Sequence, residues 1–181
     1  MRQRHLLLAF FSFFSFFLLT SCSSTHVDAY ANTKPTFDLF AYFEGNTQAY
    51  GQFQDRSGAV QRRFTVDITG TIAKNILTLD EHFIYDDGEK EQRTWTIERL
   101  AANKYRGTAS DVIGYAQGES AGSVFNWRYT LDLPYKDDTI HVNFDDWMFL
   151  HSNGVMLNRA EVTKWGFKVG EVTLFFSKEE K

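Results

Sequence analysis

The pentapeptide Gly118-Glu119-Ser120-Ala121-Gly122 has the G-x-S-x-G spacing of a serine-hydrolase nucleophile elbow. That chemistry needs the serine on a tight turn between a strand and a helix, a histidine to take its proton, and an acid to orient the histidine. The residues after it, Ser123 to Tyr129, alternate like a strand, and neither His141 nor His151 has an evident acid partner. Ser120 therefore reads as structural. Gly107, Ala109, Gly114, Ala116, Gly118, Ala121 and Gly122 form a zone of small residues suited to bends and bulges in a curved sheet.

Two carboxylates are better placed for chemistry. Leu77, Leu79, Glu81, Phe83 and Tyr85 share one face of an alternating run, and Arg93, Trp95 and Ile97 share a face of the next. A three-residue loop, Asp86-Asp87-Gly88, sets Leu77 opposite Ile97, Leu79 opposite Trp95 and Glu81 opposite Arg93. A two-residue loop would mix the faces. Glu81 and Arg93 then meet on an apolar face, either as a structural ion pair or as the polar anchor of a pocket. The second carboxylate lies in Asn143-Phe144-Asp145-Asp146-Trp147-Met148-Phe149. Strict alternation after Ile140, Val142 and Phe144 turns Asp146 inward, where it needs a partner such as Arg93 or Arg159. A bulge at the two acids would keep both outside and turn Trp147 and Phe149 in, and the cost of burying an unpaired carboxylate favours that bulge.

Metal chemistry finds little support. His26, His82, His141 and His151 show no ligand spacing, and no Gly-rich phosphate loop opens a helix, so no metal and no cofactor is expected.

The elements that must position these residues are strands. Phe64, Val66 and Ile68 alternate with polar neighbours, as do Trp127, Tyr129, Leu131 and Leu133, and again Val172, Leu174 and Phe176. Turn signals recur every ~8–12 residues, no run of helical period is convincing, and Pro35 and Pro134 are the only prolines. The pattern predicts an all-β antiparallel barrel of about nine or ten strands, lipocalin-like (calycin-type), with no substantial helix. The Gly-x-Trp signature of lipocalins is missing from the first strand region, where Phe43-Glu44-Gly45 stands.

The N-terminal end addresses the chain. Arg2 and Arg4 precede an apolar run from Leu6 to Leu19, too short to span a bilayer and suited to a signal peptide. Leu19-Thr20-Ser21-Cys22 then resembles the bacterial lipobox, which implies cleavage before Cys22, acylation of Cys22 and an attachment to membrane that two or three acyl chains make essentially permanent. Cys22 is the single cysteine, so no disulfide within the chain can form. Ser23 after it, by resemblance to Gram-negative lipoproteins, implies sorting to the outer membrane. The expected organisation is a signal peptide over 1–21, a tether over 22–35 and one barrel domain over 36–181. Of 19 basic and 23 acidic residues only two, both basic, lie in 1–21, leaving 17 against 23, a formal charge of −6. That balance argues against nucleic acid as a partner.

Phe83-Ile84-Tyr85-Asp86-Asp87-Gly88, Arg93-Thr94-Trp95, Asn126-Trp127-Arg128-Tyr129, Asp145-Asp146-Trp147-Met148, Asn158-Arg159 and Val169-Gly170-Glu171-Val172 together resemble the motifs of a bacterial lipoprotein family known as domain of unknown function 3833. The resemblance runs over nearly the whole mature chain. It implies an envelope lipoprotein and brings no catalytic residues.

The function expected from these readings is binding of a small apolar or amphipathic molecule inside the barrel, at the periplasmic face of the outer membrane. Glu81, Arg93, Trp95, Trp127, Tyr129 and Asp146 are the expected ligand-binding residues. The alternatives are an enzyme of the same fold with Glu81 or Asp146 as general acid or base, or an interaction module with a filled core. An open interior with a few polar groups distinguishes the first two from the third.

Overall fold

The computed structural model describes residues 25–135 and 138–178. Cys22 and the signal segment lie outside the described residues. Ten strands run β1 Gly45–Asp55, β2 Val60–Ala73, β3 Ile76–Tyr85, β4 Lys90–Ala101, β5 Lys104–Thr108, β6 Ala116–Ala121, β7 Val124–Tyr135, β8 Asp138–Leu150, β9 Met156–Lys164 and β10 Phe167–Lys178. Each pairs antiparallel with its neighbour in sequence, and β10 returns to pair with β1, so the sheet closes into an up-and-down barrel with no free edge. The expected all-β barrel of nine or ten strands is what forms.

Alternation decides which side chains enter. On β9, Met156, Asn158, Ala160 and Val162 are buried and the residues between them exposed. On β7, Phe125, Trp127, Tyr129, Leu131 and Leu133 point to the interior. The β3–β4 hairpin has the expected register, Leu77↔Ile97, Leu79↔Trp95 and Glu81↔Arg93. Gly88 closes its loop at φ 88°, a left-handed position that glycine takes without a Cβ penalty.

One end of the barrel is plugged. A short helix, α1 Leu39–Phe43, buries Leu39, Phe40, Tyr42 and Phe43. Its N-cap Asp38 accepts from the Ala41 N–H at 3.0 Å and from Arg99 Nη2 of β4 at 2.7 Å, so the cap also staples the plug to the wall. The Phe43 carbonyl lies so close over Gly70 of β2 that any Cβ there would collide with it. The helix has one turn and five residues, and its all-round apolar character explains why periodicity did not reveal it.

The segment expected to be a tether is packed on the barrel from Val27 onward. A 3-10 turn, Val27–Tyr30, buries Val27, and the Tyr30 ring lies 5.7 Å from Phe149 and 6.2 Å from Trp147 on the outer wall of β8. Thr33 bonds Ser123 in the β6–β7 turn at 2.9 Å. The chain thus reaches the barrel at its plugged end.

Ser120 lies within β6, buried, and β7 follows it, so no strand-to-helix elbow exists there. His141 sits on the outside of β8 beside Asp132 at 3.3 Å, and His151 belongs to the β8–β9 turn. The small-residue zone has a different use from the expected bends: a Cβ on Gly107 or Gly118 would stand 2.5 Å from the Trp127 indole, so these glycines make room for that ring.

Candidate functional site

The barrel is not filled. An interior cavity of about 660 Å³ starts at Leu39 and Phe43 of the plug and runs to Arg62, Glu89 and Pro134 at the far strand ends. Glu89 and Pro134 are exposed to solvent, so that far end is the mouth. The volume falls within the roughly 300–1,000 Å³ usual for small-molecule sites. A second depression, of about 570 Å³, lies on the outer wall between Tyr50, Ile84, Leu157 and Phe175. Its charged members Arg63 and Asp86 pair with one another at 3.1 Å, so it presents no unpaired charge.

The cavity wall is aromatic at mid-depth. Trp95 meets Trp127 edge-on at 5.6 Å and Tyr129 at 5.4 Å, and Tyr129 stacks on Phe144 at 5.1 Å. Toward the mouth, Leu131, Val142 and Val162 form an aliphatic cluster. All six residues expected from the sequence, Glu81, Arg93, Trp95, Trp127, Tyr129 and Asp146, line this cavity.

Glu81 and Arg93 face one another in register, yet the expected ion pair is not what holds the arginine. Arg93 donates from Nη2 at 2.7 Å and from Nε at 3.0 Å to Asp111 Oδ2, in the loop between β5 and β6. The loop carboxylate reaches the guanidinium from outside the hairpin, which no register argument could show. Glu81 is left half-buried on the cavity wall. Burial pushes its carboxyl up to about 7; the Arg93 charge and the Trp95 side chain oppose the rise, and Asp111 adds to it.

Asp146 corrects the bulge expectation. The β7–β8 register runs unbroken from Val124↔Phe149 to Tyr135↔Asp138, so Asp146 points inward and is 6% exposed. The outward neighbour Asp145 is held by Asn126 Nδ2 at 2.6 Å and Arg128 Nε at 3.1 Å, and Asn126 also donates to the Asp146 carbonyl at 2.9 Å. Trp147, left on the outer wall by this register, is covered by Tyr30. Inside, the Asp146 carboxylate accepts from the Tyr129 hydroxyl at 2.9 Å, a partner on the next strand rather than Arg93 or Arg159. Arg159 faces outward and bonds Glu171 at 2.7 Å. Burial raises the Asp146 carboxyl to about 7, with the Tyr129 bond, the Arg93 charge and Asn158 opposing and Asp145 adding. Tyr129 is held well above its ordinary value by burial and by Asp146, so it stays a neutral donor.

Asn158 is the residue sequence reasoning missed. It is 2% exposed and lines the cavity, with its Oδ1 unbonded and its Nδ2 turned to the Asp146 carboxyl without a full hydrogen bond. A polar side chain among Met156, Ala160 and Val162 on an inward face was the available signal. Buried amides are nearly always paired, so a free one facing a cavity marks a place where a ligand atom or water can bond. Among the described residues no group of three His, Cys, Asp or Glu could hold a metal ion.

The arrangement is therefore an aromatic-walled chamber with one polar patch of Glu81, Arg93, Tyr129, Asp146 and Asn158, reached past an aliphatic throat. The same fold occurs in the S-type phycobiliprotein lyase CPES from Guillardia theta, with a TM-score of 0.54 and 9% identity over 78% of this chain and 92% of that chain. No curated protein matches the sequence. Residues 16–178 match the family model described as protein of unknown function DUF3833, and the chain belongs to that family.

Proposed function

We propose that this protein binds a small, largely apolar molecule carrying one polar group, inside its barrel, and that it does so as an exported lipoprotein of a bacterial envelope facing the periplasm. The observation that carries the binding reading is the 660 Å³ cavity with a polar patch at mid-depth. A protein whose barrel served only as scaffold would fill that space with side chains, since interiors pack to near-crystalline density. The likeness to a phycobiliprotein lyase is one of fold alone. The envelope reading is supported by the Leu19-Thr20-Ser21-Cys22 sequence.

Native mass spectrometry of protein purified without detergent, combined with titration of a neutral naphthylamine dye followed by Trp95 and Trp127 fluorescence, tests the binding reading. A co-purifying mass or saturable 1:1 dye binding is expected. Absence of both, with an interior closed to the dye, overturns it.

A second reading, an enzyme using Glu81 or Asp146 as general acid or base, draws on the same two carboxyls. Burial brings each to about 7, where proton transfer near neutral pH is efficient. Chemical conversion of a co-purifying molecule by the wild type and not by Glu81→Gln or Asp146→Asn would promote it.

A further inference from the structure

We infer that the ligand this barrel selects is an apolar amine, a hydrocarbon or aromatic body ending in a protonated nitrogen. The inference rests on the binding reading above and names its ligand class.

The first ground is that the guanidinium at the polar patch already has a carboxylate partner. Arg93 gives Nη2 and Nε, two of its five N–H donors, to Asp111, so an anionic head group such as a fatty-acid carboxylate meets a guanidinium whose charge a carboxylate in contact already balances. The second is a surplus of acid. Glu81 and Asp146 line the same cavity, and among the described residues neither has a Lys, Arg or His within ion-pair distance. Asp146 has only the Tyr129 hydroxyl and the neighbouring Asn158 amide on its cavity side. Three carboxyls thus surround one guanidinium.

The third ground is the wall. Trp95, Trp127 and Tyr129 meet at 5.4–5.6 Å around the patch, and aromatic faces attract cations, most strongly where water is excluded. The fourth is Asn158, whose unbonded Oδ1 is an acceptor for an ammonium N–H. A protonated amine satisfies all four at once: it neutralises the surplus carboxyl, donates to Asp146 and Asn158, and lies against the rings while its apolar body fills the throat. Among the residues lining the cavity at its mouth, Arg62 is outnumbered by Glu89 and Glu91.

With no cation at ion-pair distance among the described residues, the two carboxyls meet this surplus by keeping protons. Glu81 is faced by Arg93 and Trp95 on β4, Asp111 on the β5–β6 loop and, on its own strand, Asp80; Asp146 is faced by Tyr129, Asn158 and Arg93 and flanked by Asp145. Burial dominates both, leaving each carboxyl titrating at about 7. An ammonium therefore exchanges with a proton. Its affinity must rise with pH through 7, until the amine itself loses its charge near about 10.

The test compares dodecylamine, dodecanol and laurate, three heads on one chain length, by isothermal titration calorimetry below their micelle concentrations, at pH 6 and pH 8. Dodecylamine should bind at least about tenfold more tightly at pH 8 than at pH 6, one group's worth of proton exchange across that interval. It should also release about half a proton at pH 7, since a single carboxyl titrating there is half-protonated before the amine binds, read from buffers of different ionisation heat. Dodecanol should be indifferent to pH, and laurate weakest at pH 8. In the Glu81→Gln, Asp146→Asn double variant the preference for dodecylamine over dodecanol should vanish while dodecanol still binds; if that variant does not fold, the wild-type pH series decides alone. Laurate binding tightest, or amine and alcohol binding alike at both pH values, overturns the ligand class and leaves the binding reading standing. Binding of none of the three overturns both.

Discussion

Arg93 faces Glu81 across the β3–β4 hairpin but gives two of its N–H groups to Asp111, at 2.7 and 3.0 Å. The loop between β5 and β6 is thereby tied to the barrel interior. Double-mutant cycles by urea unfolding should show a coupling of ~1–3 kcal/mol between Arg93→Met and Asp111→Asn, below a fully buried pair because both side chains keep about a quarter of their surface. The coupling between Arg93→Met and Glu81→Gln should be smaller. The reverse order would mean that the hairpin pair, not the loop, holds the arginine.

Protonated carboxyls at the polar patch give a signed dependence on pH. Glu81 and Asp146 have folded values raised to about 7, from ordinary values of 4.5 and 3.8. Between those limits the folded chain holds protons that the unfolded chain has released, so stability falls as pH rises from about 4 to 7 and then levels. Glu81→Gln and Asp146→Asn remove this cost. Each should raise the unfolding free energy at pH 8 by roughly 1–3 kcal/mol, read from urea titrations, and change it little at pH 4. Equal effects at the two pH values would show that the carboxyls are already ionised in the folded protein.

Gly118 lies under the Trp127 indole, with 2.5 Å between its would-be Cβ and the ring. Gly118→Ala should push the ring out of its slot and destabilise by ~1–3 kcal/mol, with a loss of near-ultraviolet circular dichroism from the Trp95–Trp127 pair. A neutral substitution with an unchanged spectrum would contradict this packing.

Cys22 as anchor is tested in cells. Cys22→Ser should abolish incorporation of a palmitate analogue and move the protein from the membrane pellet to the soluble periplasmic fraction. Unchanged labelling and fractionation would remove the lipoprotein reading.

The parts of the molecule legible in the sequence are those where local pattern decides. The β3–β4 register followed from two alternating faces and one loop length, because a slip by a single residue moves every apolar side chain out of the core. Glu81, Arg93, Trp95, Trp127 and Tyr129 were legible on the inward face for the same reason. Asp146 was misread because its burial is supported from elsewhere: Tyr129 bonds its carboxylate, and Asn126 with Arg128 holds Asp145 outside. Those partners are 17 to 20 residues away and become neighbours only through the β7–β8 pairing. Asp111 sits in an irregular loop with no period to read. The plug escaped notice because its five residues are apolar on every side and are fixed by tertiary contacts with Gly70 and Arg99.

The plug also gives the molecule a front and a back. The N-terminal segment meets the barrel at its sealed end, and from Cys22 to Val27 an extended chain reaches at most ~17 Å. A barrel moored by Cys22 would be held close to its bilayer by the end that has no doorway. Its opening, beside which Trp165 and Phe167 stand 84% and 75% exposed, would look away from the lipid that holds it. Cargo would then arrive from the aqueous side and leave the same way, so the barrel would serve as a single-entrance receptacle standing off the membrane rather than a passage drawing lipid up from beneath.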